Sequence, residues 1–178
     1  MENLNFNNPH KKDSDSQKRE KFLLNLRTEV ENYSGDASPY DAKEINLISE
    51  NESIGKLIFF QNDPDYGAIR ISEVFLKSEY QGMGIGLKFY EDLISYAKGN
   101  HFNKVASGFS VQGGALVVWI KLAEKYQVVV NPEAKDINNK NVDFQEVVKM
   151  YQDKKLPKNY YLRVPPDKSV FEIKIEQK

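Results

Sequence analysis

Gly82, Gly84 and Gly86 alternate in the run Tyr80-Gln81-Gly82-Met83-Gly84-Ile85-Gly86-Leu87, and this spacing suits anion binding. Glycine accepts positive φ and carries no Cβ, so a ligand can approach the backbone closely. The residues ahead, Val74-Phe75-Leu76, read as an apolar strand. Those behind carry Tyr90, Leu93, Ile94 and Ala97 on one helical face as far as about Ala97, with Gly99-Asn100 as the stop. A helix opening at the glycines points unpaired N–H groups, and its positive dipole end, into the turn. Such a turn holds an anion, most often a phosphate. The expected binding groups are the backbone donors of Gln81, Gly82, Met83, Gly84, Ile85, Gly86 and Leu87. Charge-assisted bonds of this kind contribute roughly 1.5–3 kcal/mol each.

A second group of residues could move protons. Glu73 is a carboxylate among apolar strand residues, where burial would raise its pKa toward the working range of a general base. Its alternatives are an ion pair with Arg70 or a nearby lysine, or a solvent-facing place on a bulge. Ser110 stands just ahead of the amphipathic run Gln112 to Tyr126, where it either caps a helix or bonds a ligand. His10 and His101 are far apart, and there is no cysteine. No metal site is expected from them, and disulfides and thiolate catalysis are excluded.

The pattern Gln81-x-x-Gly84-x-Gly86 resembles the Q/R-x-x-G-x-G/A signature of the GNAT superfamily of N-acetyltransferases. The lead-in Leu76-x-Ser78-Glu79-x-Gln81-Gly82 is similar to that family's V-x-P-E-x-R-G run, with Leu for Val, Ser for Pro and Gln for Arg. The resemblance implies an α/β (α+β) fold: a mixed, mostly antiparallel sheet, splayed at the cofactor site and flanked by helices. It implies that the glycine turn holds the pyrophosphate of acetyl-CoA, and that the backbones of Phe75 and Leu76 bond the pantetheine arm while their side chains pack in the core. It implies direct transfer to an amine, with Glu73 as the base, because some members carry a glutamate on this strand. Many members place a tyrosine on the second helix, in the pattern N-x-x-A-x-x-x-Y, to protonate the departing thiolate. Here the pattern reads Gln112-x-x-Ala115-x-x-x-Trp119, and an indole cannot supply that proton. Trp119 is then expected beside the cofactor or in the core, and Tyr126 is the substitute acid.

The elements that must position these groups follow from hydrophobic periodicity. The chain has 178 residues, 40% hydrophobic and 29% charged, with a formal net charge of −1. That suits a single soluble domain, expected over 16–178 behind a flexible polar tail, 1–15. Near-neutral charge gives no field for nucleic acid, and no run is long enough to span a bilayer. A cytoplasmic monomer or homodimer fits this composition. Phe22, Leu23, Leu26 and Val30 share a helical spacing, so a helix is expected from Ser14 or Ser16 to about Tyr33. By the resemblance, this early helix borders the acceptor. Strands are expected at 44–49, 54–61 and 68–77, the last two joined as a hairpin through the turn cluster 62–67. The apolar phase slips near Glu73, as at a β-bulge. After the glycine helix come a strand at 104–109, the helix 112–126 and a strand at 127–130. A polar loop, 132–141, leads to a capping box at Asp143 and Glu146. A short strand at 160–164 and a final edge strand at 169–176 close the chain. The segment after 131 exceeds a minimal domain of the family and is expected to contribute to the acceptor pocket.

Two functions compete at this point. One is an acetyl-CoA-dependent N-acetyltransferase acting on an amine, either a small molecule or a protein. The other is a binding module that holds acyl-CoA as a sensor or scaffold without turnover. A nucleotide-binding α/β protein is the weaker third, since no P-loop lysine follows the glycines.

Overall fold

Alternation of apolar and polar residues builds the first half of the fold. Strands β1 (Arg27–Asn32), β2 (Asp41–Ser49), β3 (Glu52–Asp63) and β4 (Ala68–Leu76) pair antiparallel in chain order. The computed structural model describes residues 22–34, 41–63 and 68–175. Ile45 and Leu47 of β2, Leu57 and Phe59 of β3 and Ile71 of β4 are buried. Directly paired residues share a face, and the register sets Ile45 opposite Leu57 and Phe59 opposite Ile71. That face is the core.

The second half alternates helices and strands. Helix α1 (Ile85–Gly99) buries Ile85, Phe89, Leu93 and Ala97, and leads into β5 (Lys104–Ala106). Then come β6 (Ser110–Gln112), α2 (Gly113–Leu122), β7 (Val128–Val130), β8 (Lys135–Asp136), α3 (Phe144–Gln152), β9 (Tyr161–Arg163) and β10 (Phe171–Lys174). The large sheet runs β1-β2-β3-β4-β5-β10-β7, and β6-β9-β8 form a second sheet. Only β4 and β5 pair in parallel among the described strands. The parallel pair requires a crossover, and α1 supplies it. The mixed, mostly antiparallel sheet with flanking helices is therefore present.

Three expectations are corrected. The helix from Ser14 or Ser16 to Tyr33 is not formed over its described part: residues 22–24 are helical, and Arg27–Asn32 is a strand. The β-branched Thr28 and Val30 favour a strand, and pairing along β2 supplies ladder partners that a surface helix would lack. Val30 is accordingly exposed. The final strand is not an edge. β10 lies between β5 and β7; alternation reports one buried face but not the number of neighbours. The strand expected at 104–109 stops at Ala106. The tail 1–15 and the turn residues 64–67 lie outside the described residues.

Asp143 does cap α3. Its Oδ1 accepts from the N–H of Gln145 at 2.9 Å and of Glu146 at 3.4 Å. Asp143→Ala should cost about 1 kcal/mol, lowering the melting temperature by about 2–4 °C in a thermal melt. An unchanged transition would show that this cap contributes nothing.

Candidate active site

The cleft exists because two neighbouring strands part company. β4 and β5 pair only at Ile69 with Val105 and Arg70 with Ala106. Beyond that point each strand has a reason to turn away. On β4, Ile58 faces Glu73 while the next residue, Phe59, faces Ile71, so Ser72 is an extra residue on the strand. This is the bulge expected near Glu73, and a bulge bends the strand that carries it. On β5, Ser107 is drawn toward the other neighbour. Its N–H donates to the Phe171 carbonyl at 2.9 Å. Its Oγ accepts from the N–H groups of Val170 and Phe171 at 3.1 and 3.0 Å. The gap between the strands continues as a cleft of about 690 Å³.

The glycine turn forms the other wall. Gly82 and Gly84 have φ of 78° and 82°, values that L-residues with a Cβ rarely adopt. Gly84 is the N-cap of α1, so the helix opens onto the cleft that Gly82, Gly84, Gly86 and Leu87 line. The turn is braced from below. The 3-10 turn Ser78–Tyr80 returns the Gln81 N–H to the Ser78 carbonyl, and the Gln81 side chain donates from Nε2 to the Leu76 carbonyl at 3.1 Å. Phe22 stacks on Tyr80 with ring centroids 5.7 Å apart. Ile85 is fully buried and Met83 packs against the core. Neither of these two residues is among those that line the cleft.

Gly86 lets α1 approach α2 closely: a Cβ at Gly86 would lie 3.1 Å from Val118 Cγ2. Helix α2 also opens on the cleft, through Gly114 and Ala115.

The other expected site residues divide. Leu76, Glu73 and Ser110 line the cleft. Glu73 is exposed on the bulge instead of enclosed by apolar residues. Ser110 does not cap α2; Gln112 occupies the cap without a side-chain bond. Phe75 is 54% exposed, because after the bulge the core phase belongs to Val74 and Leu76, so its side chain is not in the core as expected. Trp119 is fully buried, stacked on Phe171 at 5.2 Å and edge-on to Tyr90 at 5.6 Å. Neither Trp119 nor Tyr126 is among the residues that line the cleft.

Sequence reasoning missed Tyr90, Gly108 and Lys121, which the structure brings to the cleft wall. Tyr90 lies on the apolar face of α1, where periodicity alone points to core packing. Gly55 was missed as well. A Cβ there would meet the Phe75 carbonyl oxygen at 2.7 Å, so glycine is what lets β3 support the end of β4. The segment after Asn131 supports the cleft without lining it: β9 pairs with β6, and β6 carries Ser110, Val111 and Gln112 to the wall. Among the described residues, no group of three acidic or histidine side chains could hold a metal ion. No described helix is long and apolar enough to cross a membrane.

The chain can now be set beside known proteins. A GNAT family acetyltransferase from Elizabethkingia anophelis, with acetyl-CoA bound, superimposes with a TM-score of 0.51 at 14% identity, over 85% of this chain and 99% of that one. An acetyltransferase from Bacillus subtilis in complex with CoA gives the same TM-score of 0.51 at 14% identity, with coverage of 85% and 99%. No curated protein matches the chain in sequence. At this identity the structural likeness speaks for the fold. Sequence speaks for the family: residues 13–112 match the acetyltransferase (GNAT) family, a span that includes the splayed strand β4, the glycine turn and all of α1. Family match, sheet order and glycine turn agree, and the chain belongs to the acetyltransferase (GNAT) family.

Proposed function

We propose that this chain is an N-acetyltransferase that moves the acetyl group of acetyl-CoA to a primary amine by direct attack in a ternary complex. The observation that carries the reading is the meeting of two features in one cleft: a parallel strand pair that parts after two residue pairs, and a positive-φ glycine turn that opens a helix beside it. The turn supplies donors for the pyrophosphate. The side of β4 freed by the splay, along Phe75 and Leu76, can pair with pantetheine amides as an added strand would. Backbone donors near the splay suit the oxyanion of the tetrahedral intermediate. Both solved relatives described above hold CoA or acetyl-CoA.

Glu73 is exposed and lines this cleft, and it is the base in this reading. An ammonium ion must lose a proton before its nitrogen can attack, and an exposed carboxylate can accept it directly or through water. The register adds a feature that suits a cationic acceptor. Glu31 pairs with Glu44, Glu44 with Ile58 and Ile58 with Glu73, which puts three carboxylates in one row across the sheet. With no cysteine in the chain, a thiol-linked acyl-enzyme is excluded.

Thiol release from acetyl-CoA across a panel of amines tests the reading. Turnover with at least one amine is expected, and Glu73→Gln should lower kcat by about 100-fold while flattening the acidic limb of the pH–rate profile. An unaltered profile would remove Glu73 from the base role. One observation favours a second reading, an acyl-CoA-binding module without turnover: Trp119 replaces the tyrosine of the family pattern and Tyr126 lies off the cleft. Tight CoA binding with no thiol release for any amine would select that module.

A further inference from the structure

A second cavity, of about 560 Å³, lies against β8 and β9. Lys135 and Arg163 both line it, and they are direct partners across the two strands. Directly paired residues share a face, and like charges set opposite each other repel. No carboxylate relieves this pair among the described residues. Glu133, the acid on the cavity wall, is held by Lys168 at 2.5 Å. Asp136 is committed to its own turn, where Oδ1 accepts from the N–H groups of Asn138 and Lys140 at 2.9 and 2.8 Å. Lys135 donates to the side-chain carbonyl of Asn141, which holds the ammonium group without neutralising it. Arg163 is exposed and takes part in no ion pair among the described residues.

The register joins this cavity to the cleft. Val111 and Leu162 are paired and buried, so alternation puts Ser110, Arg163 and Lys135 together on the other face of the small sheet. Ser110 lines the cleft, and it is the direct partner of Arg163 on the side away from Lys135. Neighbouring strands lie about 4.8 Å apart. The two cations therefore stand one and two strands beyond the cleft wall. Glu73 is on the other side of the gap. It lines the cleft from β4, whereas β6 follows β5, the strand that has parted from β4. A molecule lying across the cleft toward β9 meets a row of carboxylates at one end and a pair of unrelieved cations at the other.

We propose that the acceptor is an amine that also carries a carboxylate, and that Arg163 and Lys135 bind the carboxylate while the ammonium group faces Glu73. This rests on the acetyl-transfer reading above and names the substrate class for that site. A guanidinium group presents parallel N–H donors that match the two oxygens of a carboxylate, and Lys135 adds a second positive charge beside it. An anion between the two cations also relieves their repulsion across the strands, which a lone surface cation could not offer. With the acid end fixed on the small sheet, the amine end is held toward the cleft, so binding energy at β8 and β9 serves orientation at the reacting nitrogen. A diamine or a simple alkylamine would satisfy the carboxylate row but leave the cations unpaired. An amino acid satisfies both ends.

The test is thiol release from acetyl-CoA by the full chain with matched amines: β-alanine, γ-aminobutyrate and ε-aminocaproate, each against its own amide. The amide keeps the shape and removes only the negative charge, and the series varies the reach from amine to acid. At least one acid should exceed its amide in kcat/KM by about ten- to a hundredfold, mostly through a lower KM. Arg163→Gln should reduce that preference about tenfold or more, Lys135→Gln should reduce it less, and Arg163→Lys should keep part of it. Lys158→Gln makes the same charge change on an exposed residue outside the cavity and should leave the preference as it is. If every amide is acetylated as well as its acid, the proposal is overturned while the acetyltransferase reading stands. A preference for the acid that survives Arg163→Gln, or that Lys158→Gln lowers equally, also overturns it, because the carboxylate would then be held elsewhere or felt only as net charge. Failure of the parent to release thiol with any amine would overturn the acetyltransferase reading, and this proposal with it.

Discussion

Gly84→Asp should abolish CoA binding while leaving the fold intact. Gly84 is the N-cap of α1 and its φ is 82°. Aspartate enters the left-handed region at less cost than most residues, so the turn can accommodate the backbone. What it cannot accommodate is the ligand. The new carboxylate would sit at the positive end of α1 and take the place proposed for the pyrophosphate. It would repel the phosphates and occupy the helix donors itself. Several charge-assisted hydrogen bonds, at roughly 1.5–3 kcal/mol each, would be lost together, more than a hundredfold in affinity. Gly84→Ala separates the two effects, since it adds a Cβ without charge and should weaken binding much less. Calorimetry with CoA reads both variants, and a Gly84→Asp protein with parental affinity would end the assignment of this turn to the phosphates.

The turn was legible in the sequence because glycine spacing is a backbone signal. Positive φ and close approach need glycine whatever the surroundings, so Gly82 and Gly84 declare themselves locally. The bulge was legible for a similar reason: an extra residue shifts the apolar phase, and Ser72 does so just where β4 leaves β5. The splay itself was legible only through the resemblance. Half of its cause is Ser107, whose hydroxyl serves two N–H groups more than sixty residues away, and no local pattern records such a contact. The helix expected as far as Tyr33 failed because Phe22, Leu23, Leu26 and Val30 fit a helical period by coincidence, while strand pairing with β2 decided the outcome. Tyr90 was hidden in plain view. A residue on the apolar stripe of an amphipathic helix reads as core, and Tyr90 is buried, yet it is also cleft wall. One-dimensional periodicity cannot tell a core contact from the floor of a site, because both are simply inside.

Trp119 turns that same ambiguity into a measurable difference. Were it a cofactor contact, its truncation would first cost CoA affinity; as core, it should first cost stability. The structure favours the second. The indole is fully buried between Phe171, stacked at 5.2 Å, and Tyr90, edge-on at 5.6 Å, and it does not line the cleft. Trp119→Ala removes the largest fully buried side chain and leaves a void that α2 and β10 cannot close without losing their register with the rest of the core. Such truncations cost about 3–5 kcal/mol, a large share of the roughly 5–15 kcal/mol that holds a domain together. At about 2–4 °C per kcal/mol, the melting temperature should fall by on the order of 10 °C. Trp119→Phe should recover most of the loss, because it keeps an aromatic plate stacked on Phe171 and leaves a smaller void. Thermal melts of the two variants, with CoA calorimetry well below the transition, distinguish the roles. A Trp119→Ala protein that melts with the parent but has lost CoA affinity would place the indole in the binding site after all.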